Sequence, residues 1–67
     1  MTVINNYNRI KLVLVENNKS NKWLAAKLEM SETTVSNWCT NHRQPSLSTL
    51  FKIASVLNIN PKELINA

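Results

Sequence analysis

Ser31, Glu32, Thr33, Thr34, Ser36 and Asn37 crowd short polar side chains into one stretch, with the apolar Val35 among them. Hydroxyls, a carboxylate and a carboxamide at this density can give and accept hydrogen bonds along another molecule's edge. They do not make a reaction centre. The chain has four acids, none of them aspartate, together with one histidine, His42, and one cysteine, Cys39. A Cys-His nucleophile pair needs a third, orienting group and a pocket, and a zinc site needs three or four ligands. His42 and Cys39 lie close only because they share a loop edge, with no orienting group or further ligands spaced to join them, so no catalysis, metal or cofactor is expected.

Recognition by such a stretch requires a rigid support. Ser20 is placed to cap a first helix, on which Leu24 and Leu28 fall four apart beside the small Ala25. Ser31 then caps a second helix, whose Val35 and Trp38 repeat at a three-residue spacing. Two helices this close must cross steeply and bury a shared seam, which leaves the polar side of the second facing out. Ahead of them, residues 8–17 put Ile10, Val13 and Leu14 on one helical face, while Leu12 and Val15 extend the apolar surface round the side. The run Ile-Lys-Leu-Val-Leu-Val also suits a strand, but no second strand is available to pair with it. The extra surface is either a contact site or is covered by an N-terminal arm, residues 1–7, through Val3, Ile4 and Tyr7. Asn17, Asn18 and Lys19 break the first helix, and residues 39–45 form a polar, basic loop ended by Pro45. Ser46 or Ser48 caps a fourth helix with Leu47 closing its first turn and Leu50, Ile53, Ala54 and Leu57 buried. Asn60-Pro61-Lys62-Glu63 opens a short fifth, burying Leu64 and Ile65.

The chain of 67 residues suffices for a single domain spanning 1–67 with one small core. Eight Lys and Arg against four Glu give a formal charge of +4, which implies attraction to polyanions without naming one. A lone thiol excludes an internal disulfide and fits a reducing, cytoplasmic setting. Met1 to Tyr7 carry no long apolar run after a basic start, and no stretch reaches bilayer length, so no membrane role is expected.

The stretch from Ser20 to Trp38, with Asn8-Arg9-Ile10-Lys11 before it and Arg43-Gln44-Pro45-Ser46-Leu47-Ser48-Thr49-Leu50-Phe51-Lys52-Ile53-Ala54 after it, resembles the XRE-like class of phage repressor and Cro-type helix-turn-helix domains. The resemblance runs from about Arg9 to Ile65. Three positions depart from it: Glu29 stands where a turn glycine is usual, Cys39 where an acid often follows the tryptophan, and Asn21 where glutamine is favoured. A left-handed backbone at Glu29 would cost about 1–2 kcal/mol. The resemblance implies an all-α, compact, five-helix lambda-repressor-like fold that binds double-stranded DNA in a sequence-specific manner and regulates transcription.

Layout and resemblance point to the same surface. A major groove about 12 Å wide admits one helix, here residues 32–38, with Glu32, Thr33, Thr34, Ser36 and Asn37 toward base edges. Asn37 suits adenine, the threonines suit a thymine methyl, and Glu32 suits the cytosine amine. Asn21, Lys22, Ser31, Asn41, His42, Arg43 and Ser48 are the expected backbone contacts. A homodimer on an inverted repeat is expected to pair through Asn58 and Ile59, as the resemblance suggests, or through Leu12 and Val15. The competing reading is a protein-interaction adaptor or antitoxin that uses the same fold, with Leu12, Val15 and Trp23 meeting a protein partner.

Overall fold

A computed structural model describes residues 6–66. It contains α1 (Ile10–Glu16), α2 (Asn21–Leu28), α3 (Glu32–Cys39) and α4 (Leu47–Leu57), followed by a short 3-10 turn (Pro61–Leu64). The sequence predicts five helices; four are α-helices, and the fifth segment is this single 3-10 turn. Its start signals are nevertheless present, since the Asn60 carboxamide accepts from the Lys62 N–H and Glu63 accepts from the Asn60 N–H, both at 3.1 Å. The turn goes no further because Ile65 is extended and pairs with Asn8 in an isolated antiparallel bridge. Around that bridge the Arg9 N–H reaches the Leu64 carbonyl at 2.8 Å and the Asn66 N–H reaches the Tyr7 carbonyl at 2.9 Å. Among the described residues there is no β-strand.

Three serines start three helices. Ser20, Ser31 and Ser46 accept from the N–H groups of Trp23, Thr34 and Thr49 at 3.0, 3.1 and 3.2 Å, satisfying donors a helix start leaves free. The fourth helix is therefore capped by Ser46, and Ser48 lies inside its first turn. The chain contains no glycine, so the left-handed residues among those described are Asn18, Asn41, Asn58 and Glu29, with φ of 57°, 61°, 57° and 56°. After Asn18, Glu29 and Asn58 the next N–H closes back on the carbonyl five residues earlier, as in Lys19 to Leu14, Met30 to Ala25 and Ile59 to Ala54. This closure lets the helix end in a single left-handed residue. Glu29 thus keeps the tight turn between α2 and α3 despite its side chain.

The core joins Ile10, Val13 and Leu14 of α1, Leu24 and Ala25 of α2, Val35 and Trp38 of α3, Leu50, Ile53, Ala54 and Leu57 of α4, and Leu64. α2 packs across α3, α4 lies against α2 and the 3-10 turn, and α1 spans α3 and that turn. Four expectations change. Leu28 is only half-buried at the edge of the core, and Ile65 is exposed because it has left the turn. Leu47 does not close the first turn of α4 but stands 67 % exposed at its start. Tyr7 does not cover α1 either, being itself exposed, and Leu12 and Val15 remain open; the expected cover by Val3 and Ile4 lies outside the described residues. Trp23 is half-buried against the core, with the ammonium groups of Lys19 and Lys27 4.7 and 5.8 Å from its ring centre. Among the described residues no helix is long and apolar enough to cross a membrane.

Candidate nucleic-acid interface

The orientation of α3 follows from its two anchors. Val35 is fully buried and Trp38 nearly so, which turns Glu32 and Thr33 to solvent and leaves Ser36 and Asn37 half-exposed on the same outer side. These four residues and Asn21 from the start of α2 line one shallow groove. Five of the expected contact residues are therefore gathered in one place. Ser31 and Thr34 are tied up differently: their hydroxyls share a hydrogen bond of 2.8 Å while Ser31 also caps the helix. Their first task is to hold the tip of α3.

Asn21 is fixed from behind. The Cys39 thiol donates to its carboxamide oxygen at 3.3 Å, linking the last residue of α3 to the first of α2. Burial pushes the Cys39 thiol up from its ordinary value, and the nearby Lys11 ammonium opposes that shift without cancelling it. The thiol therefore stays protonated and able to donate. Lys22 is exposed beside Asn21 at the start of α2, where free N–H groups favour an anion.

The loop from α3 to α4 has a frame of side-chain hydrogen bonds. The Thr40 hydroxyl donates to the Ser36 carbonyl at 3.0 Å and lies 2.7 Å from His42 Nδ1. The Arg43 N–H returns to the Asn37 carbonyl at 3.2 Å. His42 and Arg43 face solvent, as does Ser48, whose hydroxyl is 3.2 Å from that of Ser46. Asn41, also among the expected backbone contacts, is half-buried. Its Oδ1 accepts from the Asn8 N–H at 3.0 Å and its Nδ2 donates to the Asn8 carbonyl at 3.2 Å, so the carboxamide faces the protein's own N-terminal segment.

Asn8 is the residue that sequence reasoning passes over. It is a buried polar side chain, 5 % exposed, whose Nδ2 donates to the Trp38 carbonyl at 2.9 Å and to Gln44 Oε1 at 2.7 Å, while its Oδ1 accepts from the Ile10 N–H at 3.0 Å. Gln44 completes the ring by donating to Asn41 Oδ1 at 3.0 Å. The local signal is slight, an asparagine two residues before an apolar helix start, where such a side chain commonly caps its own backbone. Of the expected pairing residues, Asn58 is exposed at the end of α4, Ile59 packs partly on the core, and Leu12 and Val15 stand open on α1. Among the described residues no group of three or more His, Cys, Asp or Glu could hold a metal.

The helix-turn-helix family model matches residues 10–64, and the chain belongs to that family, of the XRE type. The chain is also similar to a protein from Bacteroides fragilis, described with its crystal structure as a candidate DNA-binding protein: the two share 52 % identity and a TM-score of 0.88, with 90 % of this chain and 97 % of that one covered. No curated protein matches the chain.

Proposed function

We propose that this protein is a sequence-specific regulator that binds double-stranded DNA, with α3 lying in the major groove. One observation carries the reading: Val35 and Trp38 are locked inward while Glu32, Thr33, Ser36 and Asn37 share an outward groove with Asn21, in a chain of the helix-turn-helix family. The description of the similar B. fragilis protein supports it.

In this reading Asn37 reads adenine through a two-point contact, Thr33 meets a thymine methyl, Glu32 accepts from cytosine, and Ser36 and Thr34 border them. Asn21 and Lys22 hold phosphates at one side, His42, Arg43 and Ser48 at the other, and the helix start at Ser31 faces the groove. One module of this size buries little DNA surface, so two copies on an inverted repeat, with recognition helices about 34 Å apart, supply the specificity. Occupancy of the operator then blocks or recruits polymerase. No step of this needs a reaction centre or a cofactor.

Leu12 and Val15, 48 % and 58 % exposed, favour a second reading in which α1 docks a protein partner. Salt separates the two. Phosphate contacts release counterions, so duplex affinity should fall steeply and log-linearly as salt rises. Failure of the protein to bind any duplex at low salt would refute the DNA reading and leave the adaptor.

A further inference from the structure

We infer that Asn8 and Gln44 are positioning residues for the phosphate grip, holding the α3–α4 loop so that Arg43 is presented to the duplex; this rests on the DNA reading above. Arg43 lies between Asn41 and Gln44, and both of those side chains close onto Asn8 or onto each other. Asn8 itself cannot shift easily, because both N–H groups of its buried carboxamide are engaged and its oxygen holds the first N–H of α1. A polar loop without such ties samples many backbone conformations, and a cation on it must be ordered at the moment of binding. Here the ordering is done beforehand: the side chains at 41 and 44 are tied to Asn8 and to each other, and Arg43 between them is exposed.

The chemistry at stake is the sequence-independent part of recognition. An arginine on a fixed loop meets a phosphate oxygen pair in a set geometry, whereas the same arginine on a loose loop contributes mainly diffuse charge. Asn8 lies outside residues 10–64, the segment matched by the family model, so the device joins the N-terminal segment to the motif's far side.

Removing Asn8 leaves the Ile10 N–H without its partner, takes one of two donors from the Trp38 carbonyl and risks the fold itself. Gln44, on the exposed surface, is the cleaner handle. Binding to random-sequence duplex would be measured at low salt for wild type, Gln44→Ala, Arg43→Ala and the double variant, with thermal unfolding and the 15N order parameter of the Arg43 amide alongside. Gln44→Ala should weaken random-duplex binding roughly 3- to 10-fold with little change in unfolding, should drop the Arg43 order parameter below about 0.6, and should add nothing once Arg43 is already alanine. A loss of equal size in the Arg43→Ala background would show that Gln44 acts by itself and would overturn the inference. So would an unchanged affinity or an unchanged Arg43 order parameter. If wild type binds no duplex while Gln44→Ala still loosens Arg43, the DNA reading fails, the hold on the loop stands, and the assignment of that hold to phosphate is overturned.

Discussion

Cys39 Sγ donates to Asn21 Oδ1 at 3.3 Å, so two positions at which this sequence departs from the usual pattern of its family meet each other in the fold. A shorter amide than glutamine begins α2, and a neutral thiol in place of an acid ends α3 and holds it. The pairing has a consequence in solution. Because burial raises the folded thiol's pKa, the unfolded chain loses its proton first as pH climbs. Stability from this group is complete below the ordinary thiol range and declines as pH rises from there through the folded value. Alkylation by iodoacetamide should accordingly be slower than that of a free thiol at mildly alkaline pH, and should recover the free-thiol rate in denaturant. Equal rates in both conditions would contradict the burial account.

Ala25, 3 % exposed, belongs to the core on α2, the helix that packs across α3. Ala25→Leu places three further carbons in a filled space, so chemical denaturation should show a loss of about 1–3 kcal/mol. The same change on exposed Ala26 should be nearly neutral.

Glu29 holds φ 56° at the turn between the motif helices, a conformation that disfavours any residue with a Cβ. Glu29→Gly should stabilise the fold by about 0.5–1 kcal/mol, the relief of the left-handed strain exceeding the added freedom of the unfolded chain. A drop in stability would mean that the glutamate side chain contributes something beyond its backbone.

Asn37 and Arg43 have different proposed tasks and should separate in binding. Asn37→Ala should lower affinity for a preferred duplex by about 1–3 kcal/mol while leaving random duplex almost unchanged. Arg43→Ala should weaken both and reduce the salt slope by about one. Parallel losses in the two variants would refute the division between reading and gripping.

Features determined by neighbours in the chain were legible in the sequence. Ser20 and Ser31 cap the helices they precede, and the spacing of Leu24, Ala25, Val35 and Trp38 picks out residues buried in the core. Asn18 was readable as a left-handed break for the same reason. What escaped depends on residues far along the chain. Asn8 is buried by partners at Trp38, Asn41 and Gln44, residues 30, 33 and 36 positions on, and its local context gives no hint of them. That long-range pairing also draws Asn41 inward, and the bridge from Asn8 to Ile65 halts the final turn before it becomes an α-helix. Leu47 shows the converse: an apolar residue at a helix start, left exposed because nothing described packs over it.

Selection of bound sequences from a random duplex pool, run with wild type and with Asn37→Ala, tests the reading role of α3 most directly. Wild type should enrich an inverted repeat, with half-sites about 10 base pairs apart, and the variant should lose preference at one position of each half-site. A pool that shows no enrichment, or one whose preferences are identical for both proteins, would contradict it.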